Sequence, residues 1–170
     1  MAKIKEIIAN FILGTRRFSN KQAKKFAKNI KNKRILEIGS GKAKRYTIKK
    51  FFDNSNEFIQ SDINPKYGHK ILDATKMNYK DEFDIIICIN VLEHVFDFKK
   101  VIDNIYRGLR PNGIALFSVP GYYPIHDEPN DFWRFTEHSF KRLLRKFSYI
   151  KIKYQGLRRY PFVYFIEAKK

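Results

Sequence analysis

The chain has 170 residues, 44% of them hydrophobic, a formal net charge of +18 and one cysteine. That length suits one domain that buries its own core, and a single cysteine, Cys88, excludes a disulfide framework or a cysteine metal cluster. No apolar run approaches transmembrane length, and Gly14-Thr15-Arg16-Arg17, after the first apolar patch, is no signal cleavage site.

In chain order, residues 2–13 and 19–30 read as two helices, the second basic and amphipathic with Ala23, Phe26, Ala27 and Ile30 on one side. They make a basic N-terminal segment, residues 1–31, ahead of a core over 32–170 in a single domain spanning 1–170. Residues 34–43 then run an apolar strand into the turn Gly39-Ser40-Gly41, with Glu37 two residues before the first glycine. Glycines admit backbone angles closed to other residues and let a ligand approach the main chain. A helix expected after Ala43 would direct its free N–H groups at an anionic part of that ligand.

Residues 57–62 form a second short strand ending in Asp62, 21 residues past Gly41. A carboxylate at that tip accepts hydrogen bonds from both hydroxyls of a ribose, although Asn64-Pro65 next to it also marks a simple turn. Residues 71–75 repeat the pattern, apolar residues capped by Asp73, for which a solvated loop acid is the other reading. Too few residues separate Asp62 from Lys70 for a crossover helix, so the sheet edge is expected to be trimmed to loops or one helical turn. Residues 83–89 form a continuous apolar run, a central parallel strand buried on both faces, that delivers Asn90-Val91-Leu92-Glu93-His94 at its carboxyl end.

A helix with apolar period over 99–110 stops at Pro111-Asn112-Gly113, and residues 114–119 make a fifth strand. The loop at 121–136 is dense in aromatic and ionisable residues, and Thr136 is a good N-cap for a helix over 137–147. Residues 149–154 and 162–168 read as two final strands around a turn at Gln155-Gly156.

Glu37-Ile38-Gly39-Ser40-Gly41 resembles the first motif of class I S-adenosylmethionine-dependent methyltransferases; the competing dinucleotide fingerprint needs a third glycine where Lys44 stands. Asn90-Val91-Leu92-Glu93-His94-Val95 resembles that family's fourth motif, and the string LRPNGIALFSVP at 109–120 is typical of it. The resemblance implies an α/β, Rossmann-like sheet, mostly parallel with an antiparallel C-terminal strand and helices on both faces. It also implies S-adenosylmethionine as cofactor. Glu37, Gly39, Ser40, Gly41 and Asn90 would surround its methionine end, Asp62 and Ile63 its ribose, Asp73 and Ala74 its adenine, with no metal.

The string HDEPNDFWRFT at 126–136 resembles a subgroup of small methyltransferases of cell-surface sugar and lipid-related pathways. It points to a small-molecule, glycan or lipid-related acceptor, with oxygen favoured and nitrogen and carbon as alternatives, and with Tyr122, Trp133 and Arg134 on the acceptor side. His126 is the loop residue able to take a proton near neutral pH, hence a candidate general base. The alternatives are that His126 and Trp133 lock the loop and that Arg134 pairs with Asp131. For His94 a helix-start or packing role ranks above catalysis.

Charge is unevenly placed: residues 1–50 carry 16 basic and 2 acidic side chains, 51–140 carry 9 and 14, and 141–170 carry 10 and 1. Basic flanks around an acidic centre suit RNA or an anionic membrane surface, whereas an overall lysine-rich composition explains them without any partner. A lone buried thiol fits a cytoplasmic setting, with peripheral membrane attachment as a variant. Three function classes stand: a small-molecule or glycan methyltransferase, an RNA methyltransferase, and a non-catalytic member of the fold.

Overall fold

The computed structural model describes residues 2–42 and 47–170, with side chains of the first helix from residue 14 onward. Seven strands form one sheet: β1 (Arg34–Ile38), β2 (Glu57–Asp62), β3 (Lys70–Ile71), β4 (Phe83–Ile89), β5 (Leu109–Pro120), β6 (Tyr149–Leu157) and β7 (Tyr160–Lys169). Their order is β3-β2-β1-β4-β5-β7-β6, with β1 to β5 parallel and β7 inserted antiparallel between β5 and β6. The strand order reverses at β1/β4, which places a ligand crevice at the carboxyl ends of those two strands.

Strand periodicity sorts the core into two layers. Ile35 of β1, Ile85 and Ile87 of β4, Leu116 of β5 and Phe165 of β7 share one face and bury Ala23 and Ala27 of the helix α1 (Ala2–Ala27). Leu36, Ile86, Cys88, Ala115, Phe117 and Ile166 point the other way. They meet Val101, Ile102 and Ile105 of α2 (Phe98–Gly108) and Phe140 of α3 (Glu137–Leu143). Burying Phe117 and Phe140 completely makes each of them worth about 3–5 kcal/mol against truncation to alanine.

Several expectations change. The two N-terminal helices are one, because Gly14 inside a helix costs only about 1 kcal/mol and the second half of α1 packs on the sheet through Phe18, Ala23, Phe26 and Ala27. It is tied to β5 by a buried hydroxyl pair, Ser19 Oγ to Ser118 Oγ at 2.9 Å, and to β6 by Lys153 Nζ donating to Gln22 Oε1 at 2.9 Å. The start expected for a helix after Ala43 lies outside the described residues, and the chain beyond them forms a single 3-10 turn, Lys49–Phe51. β3 is only two residues long. The link from β2 to it is one 3-10 turn, Pro65–Tyr67, capped by Asn64, as the short spacing predicts.

α3 keeps its Thr136 cap, reinforced by Ser139 in a reciprocal capping box, but ends at Leu143. The final reversal falls at Arg158-Arg159, not at Gln155-Gly156. Gly156 instead sits at a register shift within the β6–β7 pairing with φ of +110°, where a Cβ would lie 2.5 Å from the Tyr160 carbonyl oxygen.

Candidate active site

The turn after β1 is organised by Glu37. Its carboxylate, 4% exposed, accepts from Ser40 Oγ (2.9 Å), Thr47 Oγ1 (2.9 Å), Gln60 Nε2 (3.2 Å) and the Ile48 amide (3.2 Å). One buried acid thus ties the strand, the turn and the chain beyond it into one unit. Ser40, expected at the cofactor, directs its hydroxyl to Glu37 and its amide to the Ser61 carbonyl, so it shapes the bend. Gly39 and Gly41 both take positive φ, +70° and +66°. A Cβ on Gly39 would come within 2.3 Å of Val91 Cγ2 on the neighbouring strand tip.

At the tip of β2, Asp62 Oδ2 accepts from the Gly41 amide at 2.8 Å and Oδ1 from the Asn64 amide at 2.9 Å. Asp62, Ile63, Asp73, Ala74, Val91 and Phe96 line a cavity of about 360 Å³, with Gly39 in its wall. Asp73 Oδ1 accepts from both the Thr75 amide and hydroxyl, and these bonds hold its carboxyl below the ordinary carboxylate range. The expected ribose and adenine residues therefore come together around one hollow.

On the other side of Gly39 lies a second cavity of about 540 Å³. Glu37, Ser40, Gly41 and Asn90 line it together with His94, Tyr123 and His126, and α1 closes it with Thr15, Arg16, Ser19 and Asn20. Asn90, at the end of β4, has φ of +53°. His126 and His94 stack edge to face at 4.9 Å, and Tyr123 packs on His126 at 5.1 Å. Burial, first of all, raises the Tyr123 phenol above its usual value.

The loop is locked by a clamp. Arg134 donates to both carboxylate oxygens of Asp131 at 2.6 Å and to the carbonyls of Tyr123, Pro124 and Trp133. That bidentate pair holds Asp131 far below the usual carboxylate range and raises Arg134. With its donors so engaged, Arg134 positions the loop in place of the expected substrate contact.

Trp133 also turns away, packing on Phe96 and Phe98 at 5.7 and 5.2 Å. Tyr122 is 67% exposed and stacks on Tyr160. Tyr123, not Tyr122, lines the cavity.

Sequence reasoning missed Glu93 as well. It follows β4 in a 3-10 turn, Leu92–His94, and is 1% exposed. Its Oε2 is sealed from solvent with no hydrogen-bond partner, and burial pushes its carboxyl up to about 8. The Leu92-Glu93-His94 string was visible; nothing in it indicates which of the two ionisable residues turns inward. Cys88, within β4, is buried and its thiol is pushed up by desolvation, as expected for an inert core cysteine. Among the described residues no helix is long and apolar enough to cross a membrane.

Comparison with known proteins gives a family and a fold. A family described as "Methyltransferase domain" matches residues 14–154. The ubiquinone biosynthesis O-methyltransferase of Rickettsia bellii is 26% identical over 104 residues, 54% of this chain and 43% of that enzyme, so the match spans less than half the relative's length. Among solved structures, the N-methyltransferase NodS from Bradyrhizobium japonicum superposes with a TM-score of 0.71 at 15% identity, over 92% of this chain and 97% of that one. The 1,6-didemethyltoxoflavin-N1-methyltransferase of Burkholderia thailandensis, with its substrate and S-adenosylhomocysteine bound, gives 0.66 at 16% identity, over 98% and 86%.

Proposed function

We propose that this chain, which belongs to the methyltransferase-domain family, transfers a methyl group from S-adenosylmethionine to a hydroxyl oxygen of a small-molecule, glycan or lipid-related acceptor. The observation that carries the reading is the convergence of Glu37, Asp62 and Asp73 from three successive strand tips on the two cavities that share Gly39. The cofactor supplies a sulfonium-bound methyl group whose departure leaves a neutral thioether.

The chain's own residues fit that molecule. Each Asp62 oxygen holds one amide N–H and keeps acceptor capacity for a ribose hydroxyl. Asp73 and Ala74 form the adenine end, with the exposed Ile63 as an apolar cover. Glu37, Gly39, Ser40, Gly41 and Asn90 shape the methionine end. Tyr123 and His126 face the acceptor side, and His126 receives the acceptor's proton. Rate comes chiefly from alignment in a pocket closed by α1 and the clamped loop, which keeps water from competing. An oxygen acceptor is favoured by the O-methyltransferase activity named for the Rickettsia relative.

Titration calorimetry with S-adenosylmethionine tests the cofactor site. One molecule per chain is expected, weakened at least tenfold in Asp62→Ala, about 1.4 kcal/mol at the factor-of-ten constant. No binding heat, or equal affinity in the variant, removes the enzyme reading.

A further inference from the structure

Glu93, His94 and His126 come together from two segments, the 3-10 turn after β4 and the loop after β5. Each offers one ligand atom, all within 4.8 Å of one another. Bonds of about 2.0–2.2 Å put neighbouring ligands of one tetrahedral cation about 3.4 Å apart, so a closure of up to about 1.4 Å lets the three atoms share one ion.

The imidazoles are oriented for it. His94 Nδ1 lies 2.7 Å from the Asn130 carbonyl oxygen. A carbonyl only accepts, so the proton belongs on Nδ1 and the Nε2 lone pair is left free, 4.0 Å from Glu93 Oε1. His126 Nδ1 likewise lies beside acceptors alone, Asp131 Oδ2 at 3.2 Å and the Pro124 carbonyl oxygen at 3.3 Å, which leaves its Nε2 for a ligand. A second shell of carbonyl and carboxylate that fixes the tautomer is what histidine metal ligands use.

Two independent observations ask for a positive ligand. Glu93 is 1% exposed and its Oε2 is buried without a hydrogen-bond partner among the described residues, a costly arrangement for a carboxylate that a bound cation would offset. Beside it is a cavity of about 40 Å³, bordered also by Asn90, Tyr123 and His126, large enough for one ion or one water. The neighbouring Asp131 is paired with Arg134, and the two charges act on Glu93 in opposite directions, Arg134 favouring its charged form and Asp131 opposing it.

We propose that Glu93, His94 and His126 bind one divalent first-row transition cation at the acceptor end of the active-site cavity. Two imidazoles and a carboxylate suit Mn²⁺ or Zn²⁺, whereas Mg²⁺ prefers an all-oxygen shell. Binding stands independently of methyl transfer; its use there rests on the proposed function. His94 and His126 border the 540 Å³ cavity, so an acceptor hydroxyl arriving there becomes a further ligand of the cation. Its O–H bond then breaks at a lower pH, the proton passing to water, and the oxygen's electron pair is available to the methyl carbon. In that state the cation takes over the proton removal assigned to His126 in the cation-free site.

The test is equilibrium binding of Mn²⁺ to the chelator-treated protein, followed by the loss of the free-ion electron paramagnetic resonance signal, with Zn²⁺ as competitor and Mg²⁺ as control. One Mn²⁺ per chain is expected, displaced by Zn²⁺ and untouched by equimolar Mg²⁺. Glu93→Gln and His126→Asn should each weaken it at least tenfold, while His138→Ala, at an exposed histidine outside the cluster, should not. Thermal unfolding without metal, and cofactor calorimetry on the same samples, show that each variant is folded.

Absence of stoichiometric binding, or equal affinity in Glu93→Gln and His126→Asn, overturns the site. If Mn²⁺ binds as expected but S-adenosylmethionine does not, the metal site stands and the methyl-transfer reading falls.

Discussion

Gly39→Ala is a severe test of the strand-tip geometry, because the added methyl group has a known collision. Its Cβ would sit 2.3 Å from Val91 Cγ2, while Val91 Cβ and Cγ1, at 3.6 and 3.7 Å, remain at ordinary contact distance. Two costs add. Alanine at φ of +70° carries about 1–2 kcal/mol of backbone strain, and forcing one methyl group into a packed site about 1–3 kcal/mol more. The expected loss is therefore about 2–5 kcal/mol, read by urea unfolding at neutral pH.

Val91→Ala removes the colliding carbon, so the double variant should keep only the backbone strain and the loss from the truncation itself. A double-mutant cycle should then show a favourable coupling of about 1–3 kcal/mol. Cofactor affinity, measured on the same four proteins, should fall at least tenfold in Gly39→Ala, since Gly39 lies in the wall of both cavities. Additive free energies across the cycle, or a Gly39→Ala protein as stable as the parent, would refute the reasoning.

Two further outcomes follow from buried charge. In cation-free protein Glu93 holds its proton up to about 8 when folded but near 4.5 when unfolded. Its contribution to stability is therefore full below about 4.5 and is lost as pH rises towards 8, a difference of about 5 kcal/mol at 1.36 kcal/mol per pH unit. Asp131 and Asp127 add to that loss and Arg134 opposes it, with the His94 imidazole alongside. Urea midpoints of Glu93→Gln from pH 5 to 9 should be flatter than the parent's; parallel slopes would sink the burial argument. Asp131→Asn should cost about 2–3 kcal/mol at pH 7, below the usual range for a broken buried pair because Arg134 keeps contact with solvent. Asp131 is held below the ordinary 3.8, so its contribution is present above that value and lost as pH falls through the folded one. The gap between variant and parent should narrow in strong acid, and a gap that stays constant there would show that the pair is not its source.

What the sequence determined by itself was local and periodic. Near-continuous apolar runs in 34–38, 83–89 and 114–119 can bury both faces of a strand only in the middle of a sheet, and those runs are β1, β4 and the paired part of β5. Glu37, the glycine turn, Asp62 and Asp73 were legible because backbone angle and strand-end position constrain residue type at fixed spacing. The eight-step link from Asp62 to Lys70 likewise predicted a trimmed edge from chain length alone. Thr136 announced a helix start because an unpaired amide needs a side-chain oxygen there.

Tertiary structure decided everything that depends on direction in a segment without period. In the loop after β5, Tyr123 turns into the cavity while Tyr122 and Trp133 turn away, since the Arg134–Asp131 clamp and the Phe96 and Phe98 surface set the path of the chain. Gly14 failed to break α1 because packing on the sheet outweighs one residue's propensity. The meeting of Glu93 and His94 with His126 required β4 and β5 to lie side by side, a contact that neither segment encodes alone.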